Sequence, residues 1–165
     1  MDAKLLSRLQ AQCSRREYCI RDIRQKAIKA LEGDTAGAEA GGMERAGTSA
    51  QARAEEIVAS LVADGFVDER RYAAAFARDK SSLAGWGPIK IRQMLRSKGI
   101  PDETIREALG EIDPERASEK LRRLLETKRR SLEGDPAWKY KLIRFALTRG
   151  YDYAEVEHAV ADFSR

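Results

Sequence analysis

Cys13, Cys19 and His158 are the residues whose types could ligate a metal or serve as nucleophile and base, and their number and spacing argue against both roles. A zinc site takes about four ligands. Two cysteines six residues apart and a single histidine do not supply them. The cysteines read as free packing or surface residues, and His158 as a structural or surface residue within a helix. No nucleophile motif, phosphate-cradling glycine loop or dinucleotide fingerprint accompanies them. The sequence therefore predicts a protein without catalysis, metal or cofactor.

The remaining chemistry is that of placed cations. Residues 15–31 carry six basic and two acidic side chains, an excess of four. Residues 87–100 carry Lys90, Arg92, Arg96 and Lys98 with no acid, and residues 137–150 carry Lys139, Lys141, Arg144 and Arg149 with none. The segments that follow the last two are acidic: Asp102, Glu103, Glu107 and Glu111 against Arg106, then Asp152, Glu155, Glu157 and Asp162. A chain of net charge only +4 can thus carry a basic ridge. Such a ridge suits a polyphosphate backbone or an acidic protein groove. The plainer alternative is that these charges solubilise helix faces and pair with neighbouring acids. Candidate binding residues are Arg21, Arg24, Lys90, Arg92, Arg96, Lys98, Lys139, Lys141, Arg144 and Arg149. Trp86, immediately before the second basic helix, and Trp138, in the matching place between Pro136 and Lys139, either pack or stack on an unpaired base.

Positioning these side chains falls to helices. Prolines occur only at 88, 101, 114 and 136, each suited to a helix start, where a missing N–H costs nothing. Apolar periodicity predicts helices near 3–13, 15–31, 50–64, 68–83, 87–98, 101–112, 114–131, 136–149 and 152–163. They fall into three groups of three. Lys98-Gly99-Ile100-Pro101-Asp102 returns 51 residues later as Arg149-Gly150-Tyr151-Asp152, with Ile105 and Leu109 answered by Val156 and Val160. In both, a basic helix ends at a glycine able to adopt the left-handed cap. Ile57 and Leu61 take the same places in the first group. The fold class expected is all-α, three tandem three-helix units (residues 1–67, 68–112 and 113–165) stacked into an elongated, curved helical-repeat array. The interior is expected around Leu5, Ile23, Ile57, Leu61, Phe66, Tyr72, Phe76, Ile91, Leu95, Ile105, Leu109, Leu121, Leu125, Leu142, Ala146, Val156 and Phe163. Residues 33–50, with five glycines and five alanines, read as a flexible insertion in the first unit. A segment that orders on a partner is the alternative.

The hydrophobic share of 42% supports packed interiors. No apolar run nears the ~20 residues needed to span a bilayer, and the first ten residues lack the apolar stretch of a secretory signal. A cytoplasmic protein is expected.

The stretch from 65 to 100 also carries a resemblance. Gly65-Phe66-Val67-Asp68-Glu69-Arg70-Arg71-Tyr72-Ala73, continuing to Phe76-Ala77, then Trp86-Gly87-Pro88, Ile91-Arg92, Leu95 and Lys98-Gly99-Ile100, resembles the signature of the RecX family. The likeness is strong over 65–112 and elsewhere rests on repeat layout. It implies a monomeric three-unit array that binds the filament of RecA recombinase on single-stranded DNA, with double-stranded DNA a further candidate. It also implies inhibition of recombinase, ATPase and co-protease activities in recombination, DNA repair and the SOS response. Lys90, Arg92, Arg96 and Lys98 are the contact residues it points to first, while Tyr72 and Phe76 would hold the unit together. Two other readings stay open: a stand-alone single-strand-binding repeat protein, and a helical adaptor for an acidic partner.

Overall fold

A computed structural model describes residues 2–35 and 43–164. Among them run nine α-helices and no strand: α1 (Ala3–Cys13), α2 (Ile20–Thr35), α3 (Met43–Ala63), α4 (Glu69–Ser82), α5 (Pro88–Ser97), α6 (Asp102–Gly110), α7 (Pro114–Ser131), α8 (Trp138–Thr148) and α9 (Tyr153–Ala161), with a closing 3₁₀ turn, Asp162–Ser164. The all-α class is as expected. The chain divides into two compact units, Met1–Tyr72 and Ala73–Arg165, the boundary falling within α4.

Helix starts follow short acceptors. Asp2 accepts from the Leu5 amide and Asp68 from the Arg71 amide, while Asp113 and Asp152 accept from amides two residues on, all at 3.0 Å. Each satisfies a donor that the first helical turn leaves without an internal partner. Helix ends use glycine. Gly99 and Gly150 have φ of +80° and +88°, a region open to glycine at little cost. Their turns let the amides of Ile100 and Tyr151 bond back to the carbonyls of Leu95 and Ala146.

Three expectations need correction. Helix α2 begins at Ile20, not 15. After α1 closes on Ser14, the chain turns through Tyr18 and Cys19, both buried. The Cys19 sulfur accepts from the Asp22 amide at 3.4 Å while its carbonyl accepts from Ile23, so a cysteine serves as N-cap. Arg15 and Arg16 therefore lie outside α2. The helix itself holds Arg21, Arg24, Lys26 and Lys29 against Asp22, Glu32 and Asp34, an excess of one rather than four. Second, the expected insertion at 33–50 is largely helical. Residues 33–35 end α2 and 43–50 begin α3. Alanine is the strongest helix former, and the single Gly47 costs only about 1 kcal/mol against it. Residues 36–42 lie outside those described. Third, Trp138 does not occupy the place of Trp86. It is the first residue of α8, whereas Trp86 precedes α5 by two residues. On the 51-residue offset it corresponds to Gly87.

In the first compact unit the core lies between α1, α2 and α3. Leu5 and Leu9 of α1 meet Ile23, Ala27 and Leu31 of α2 and Ala54, Ile57, Val58 and Leu61 of α3. In the second, Leu121 and Leu125 of α7, Leu142 and Ala146 of α8, and Val156 and Val160 of α9 close a core with Tyr151. Ile91, Leu95 and Ile105 are buried on α5 and α6. Phe66, Tyr72, Phe76, Leu109 and Phe163 are half-buried rather than central.

Candidate functional site

Helices α5 and α8 are brought together by their ends. The Gly87 amide donates to the Arg149 carbonyl at 2.8 Å and the Ile89 amide to the Gly150 carbonyl at 3.0 Å. A Cβ on Gly87 would overlap the Gly150 carbonyl, and one on Gly150 would overlap Lys90. The two backbones thus touch where only glycine leaves room. Arg149 adds a bond from its guanidinium to the Ala84 carbonyl at 2.9 Å.

Beside this junction opens a cleft of about 520 Å³ lined by Lys90, Lys128, Leu132, Lys141, Arg144, Phe145, Thr148 and Arg149. Five cations from three helical segments converge there and no carboxylate lines it. Lys141 is partly neutralised by Asp135, whose carboxyl is held below its ordinary pKa by that ammonium and by the Ala137 amide. The ring of Phe145 carries the Lys128 ammonium at 5.5 Å and the Arg149 guanidinium at 4.8 Å. Like charges held this close favour an anion between them. A second cleft, about 340 Å³, mixes Arg78, Arg116, Lys120 and Arg123 with Glu111, Asp113 and Glu119 and has no such bias.

Of the ten cations expected to bind, the structure brings Lys90, Lys141, Arg144 and Arg149 into one cleft. The others lie elsewhere. Arg24 pairs with Glu55 of α3 at 2.6 Å, and Arg96 with Asp102 at 2.7 Å. Arg21, Arg92 and Lys139 are exposed on α2, α5 and α8, and Lys98 caps α5. Local pairing, the plainer alternative, thus describes Arg24 and Arg96. Lys128 was not foreseen because it lies on α7, outside the basic middle helices. Its signal was the run Lys128-Arg129-Arg130 in the last turn, where cations also suit the helix dipole.

Both tryptophans are half-buried and already engaged. Trp86 meets Phe76 edge-on at 6.2 Å and has the ammonium groups of Lys80 and Lys90 at 4.7 and 4.4 Å from its centroid. The Arg129 guanidinium lies 4.1 Å over Trp138. Cys13 and Cys19 are buried and form no disulfide. Burial pushes the Cys13 thiol pKa up, with Glu17 adding to the shift, which keeps it protonated and unreactive.

Residues 68–109 match the family model described as RecX, second three-helix domain. The chain is 34% identical over 110 residues to the regulatory protein RecX of Halalkalibacterium halodurans, covering 66% of this chain but only 41% of that protein. It is 34% identical over 120 residues to the regulatory protein RecX of Chromohalobacter salexigens, covering 68% of this chain and 76% of that one. A crystal structure of a regulatory protein RecX superposes with a TM-score of 0.72 at 26% identity, over 97% of this chain and 71% of that one. RecX from Lactobacillus salivarius shares the fold, with a TM-score of 0.59 at 20% identity over 87% and 97% of the two chains.

Proposed function

This chain belongs to the RecX family of regulatory proteins, and from that premise we propose that it binds the RecA filament on DNA and inhibits its recombinase, ATPase and co-protease activities. It does so in the cytoplasm, as a monomer of three three-helix units (1–67, 68–112 and 113–165), without a cofactor and without catalysing a reaction itself.

The observation that supports this reading is the cleft in which Lys90, Lys128, Lys141, Arg144 and Arg149 converge. A nucleoprotein filament presents phosphates and acidic side chains along a repeating groove, and converging cations answer both. Occupying that groove competes with contacts between recombinase subunits or with their ATP-linked cycling. The regulatory names of the relatives agree with a binding protein rather than an enzyme.

The test is RecA-dependent ATP hydrolysis on single-stranded DNA with the chain titrated in. Inhibition at well below one chain per recombinase is the expected outcome. Inhibition only when the chain saturates the DNA would replace the proposal with simple strand coating. No inhibition at any ratio would remove it.

A further inference from the structure

Helix α8 carries more than cations. Lys141, Arg144, Phe145 and Thr148 stand at i, i+3, i+4 and i+7, the spacing of a single helical face, and all four line the cleft. Tyr140 lies four residues before Arg144 and Leu147 three after it. At 100° per residue both fall along the same edge of that face, beside Arg144. Tyr140 is 67% exposed and Leu147 40%. An aromatic ring open to solvent thus stands on the same helix, one turn from a cleft-lining arginine.

The other rings around this cleft are occupied. Trp86 holds two ammonium groups, Trp138 a guanidinium, and Phe145 one of each. A base arriving at any of them would have to displace a cation from its ring. Tyr140 asks for no displacement. It stands one helical turn from Arg144, a span comparable to that between a nucleotide's phosphate and its base.

We propose that α8 forms a nucleotide subsite for a single strand: the cleft takes a backbone phosphate and Tyr140 stacks on the adjoining base. The proposal rests on the reading above only in taking nucleic acid as the occupant, and it needs no recombinase. A duplex keeps its bases paired and stacked inside, so it leaves Tyr140 nothing to stack on. An acidic peptide would use the cations and not the ring. Aromatic platforms beside cationic grooves are the common means of holding unpaired strands.

The test uses the full chain alone, with fluorescence anisotropy of labelled oligothymidylate and of an abasic strand of equal length. The two probes carry the same phosphates and differ only in bases. Wild type should bind oligothymidylate on the order of tenfold more tightly than the abasic strand. Tyr140→Ala should bring that ratio to one, and Tyr140→Phe should keep it. Arg144→Gln should weaken both probes and flatten their salt dependence. Thermal melting of each variant separates lost stacking from lost folding, and an exposed Tyr140 predicts unchanged melting. A wild-type ratio of one, an undiminished ratio in Tyr140→Ala, or a duplex bound as tightly as the single strand would each overturn the subsite. None of these results bears on inhibition of RecA hydrolysis, so the two proposals fail separately.

Discussion

Lys90 and Arg96, six residues apart on α5, do different work. Lys90 reaches the cleft shared with α8, while Arg96 turns to Asp102, whose carboxyl it holds below its ordinary pKa. Lys90→Gln should therefore weaken single-strand binding and reduce the slope of log K against log salt by roughly 0.7, the share of one phosphate. Arg96→Gln should leave that slope unchanged and lower stability slightly, because exposed pairs contribute little. Anisotropy at several salt concentrations checks both, and equal effects from the two variants would misplace the contact. Two phenols give a pH signature. Burial pushes Tyr151 to about 12, with Glu155 adding, and pushes Tyr72 to about 12, with Cys19 and Asp22 adding. A folded pKa above the ordinary 10.0 means that the native state binds the proton more tightly. The stability this confers is fully present below pH 10 and is lost as pH rises through about 12. Ultraviolet titration of native protein should show two phenols ionising near 12, and melting temperature should fall across that window.

At the scale of elements, the junction of α5 with the α8–α9 turn decides whether the cleft exists. Gly87 has an ordinary φ of −80°, so alanine there meets no backbone strain, but it does meet the Gly150 carbonyl and the Tyr151 nitrogen. The chain at that point cannot give way as a side-chain tip could. Gly87→Ala should cost about 1–3 kcal/mol, the usual penalty of overpacking, and weaken strand binding by pushing Lys90 from Arg149. Gly110, the last residue of α6, has nothing within 4 Å of the position a Cβ would take. Gly110→Ala should stabilise by roughly 0.4–1 kcal/mol, through reduced freedom of the unfolded chain. Urea denaturation of the pair measures the contrast. Equal effects would mean that the junction yields.

For the molecule as a whole, placement of charge matters more than its sum. A net charge of +4 predicts little by itself, yet five cations face one cleft and Asp135 offsets one of them. At ~0.7 per phosphate neutralised on a single strand, the remaining four predict a slope of log K against log salt of roughly −3. A slope near zero would place binding on uncharged contacts. No helix among the described residues is long and apolar enough to cross a membrane.

Local signals carried much of this into the sequence. The left-handed caps at Gly99 and Gly150, the aspartate starts of α7 and α9 and the 51-residue return of apolar positions are interactions over a few residues. They can be read from neighbours alone. The start of α2 escaped because its cap is a cysteine, outside the usual set of capping residues, and the start of α3 because glycine beside alanine suggested a connection. The basic character of α5 and α8 was equally plain. Which of their cations share a cleft was not, since that depends on how side chains 50 and more residues apart are turned. Lys90 shares a cleft with Arg149 because two glycine backbones touch, Lys128 joins from α7, and Arg96 leaves for Asp102. Those choices follow from packing in three dimensions, where a shift of one helical position exchanges a cleft residue for a surface one.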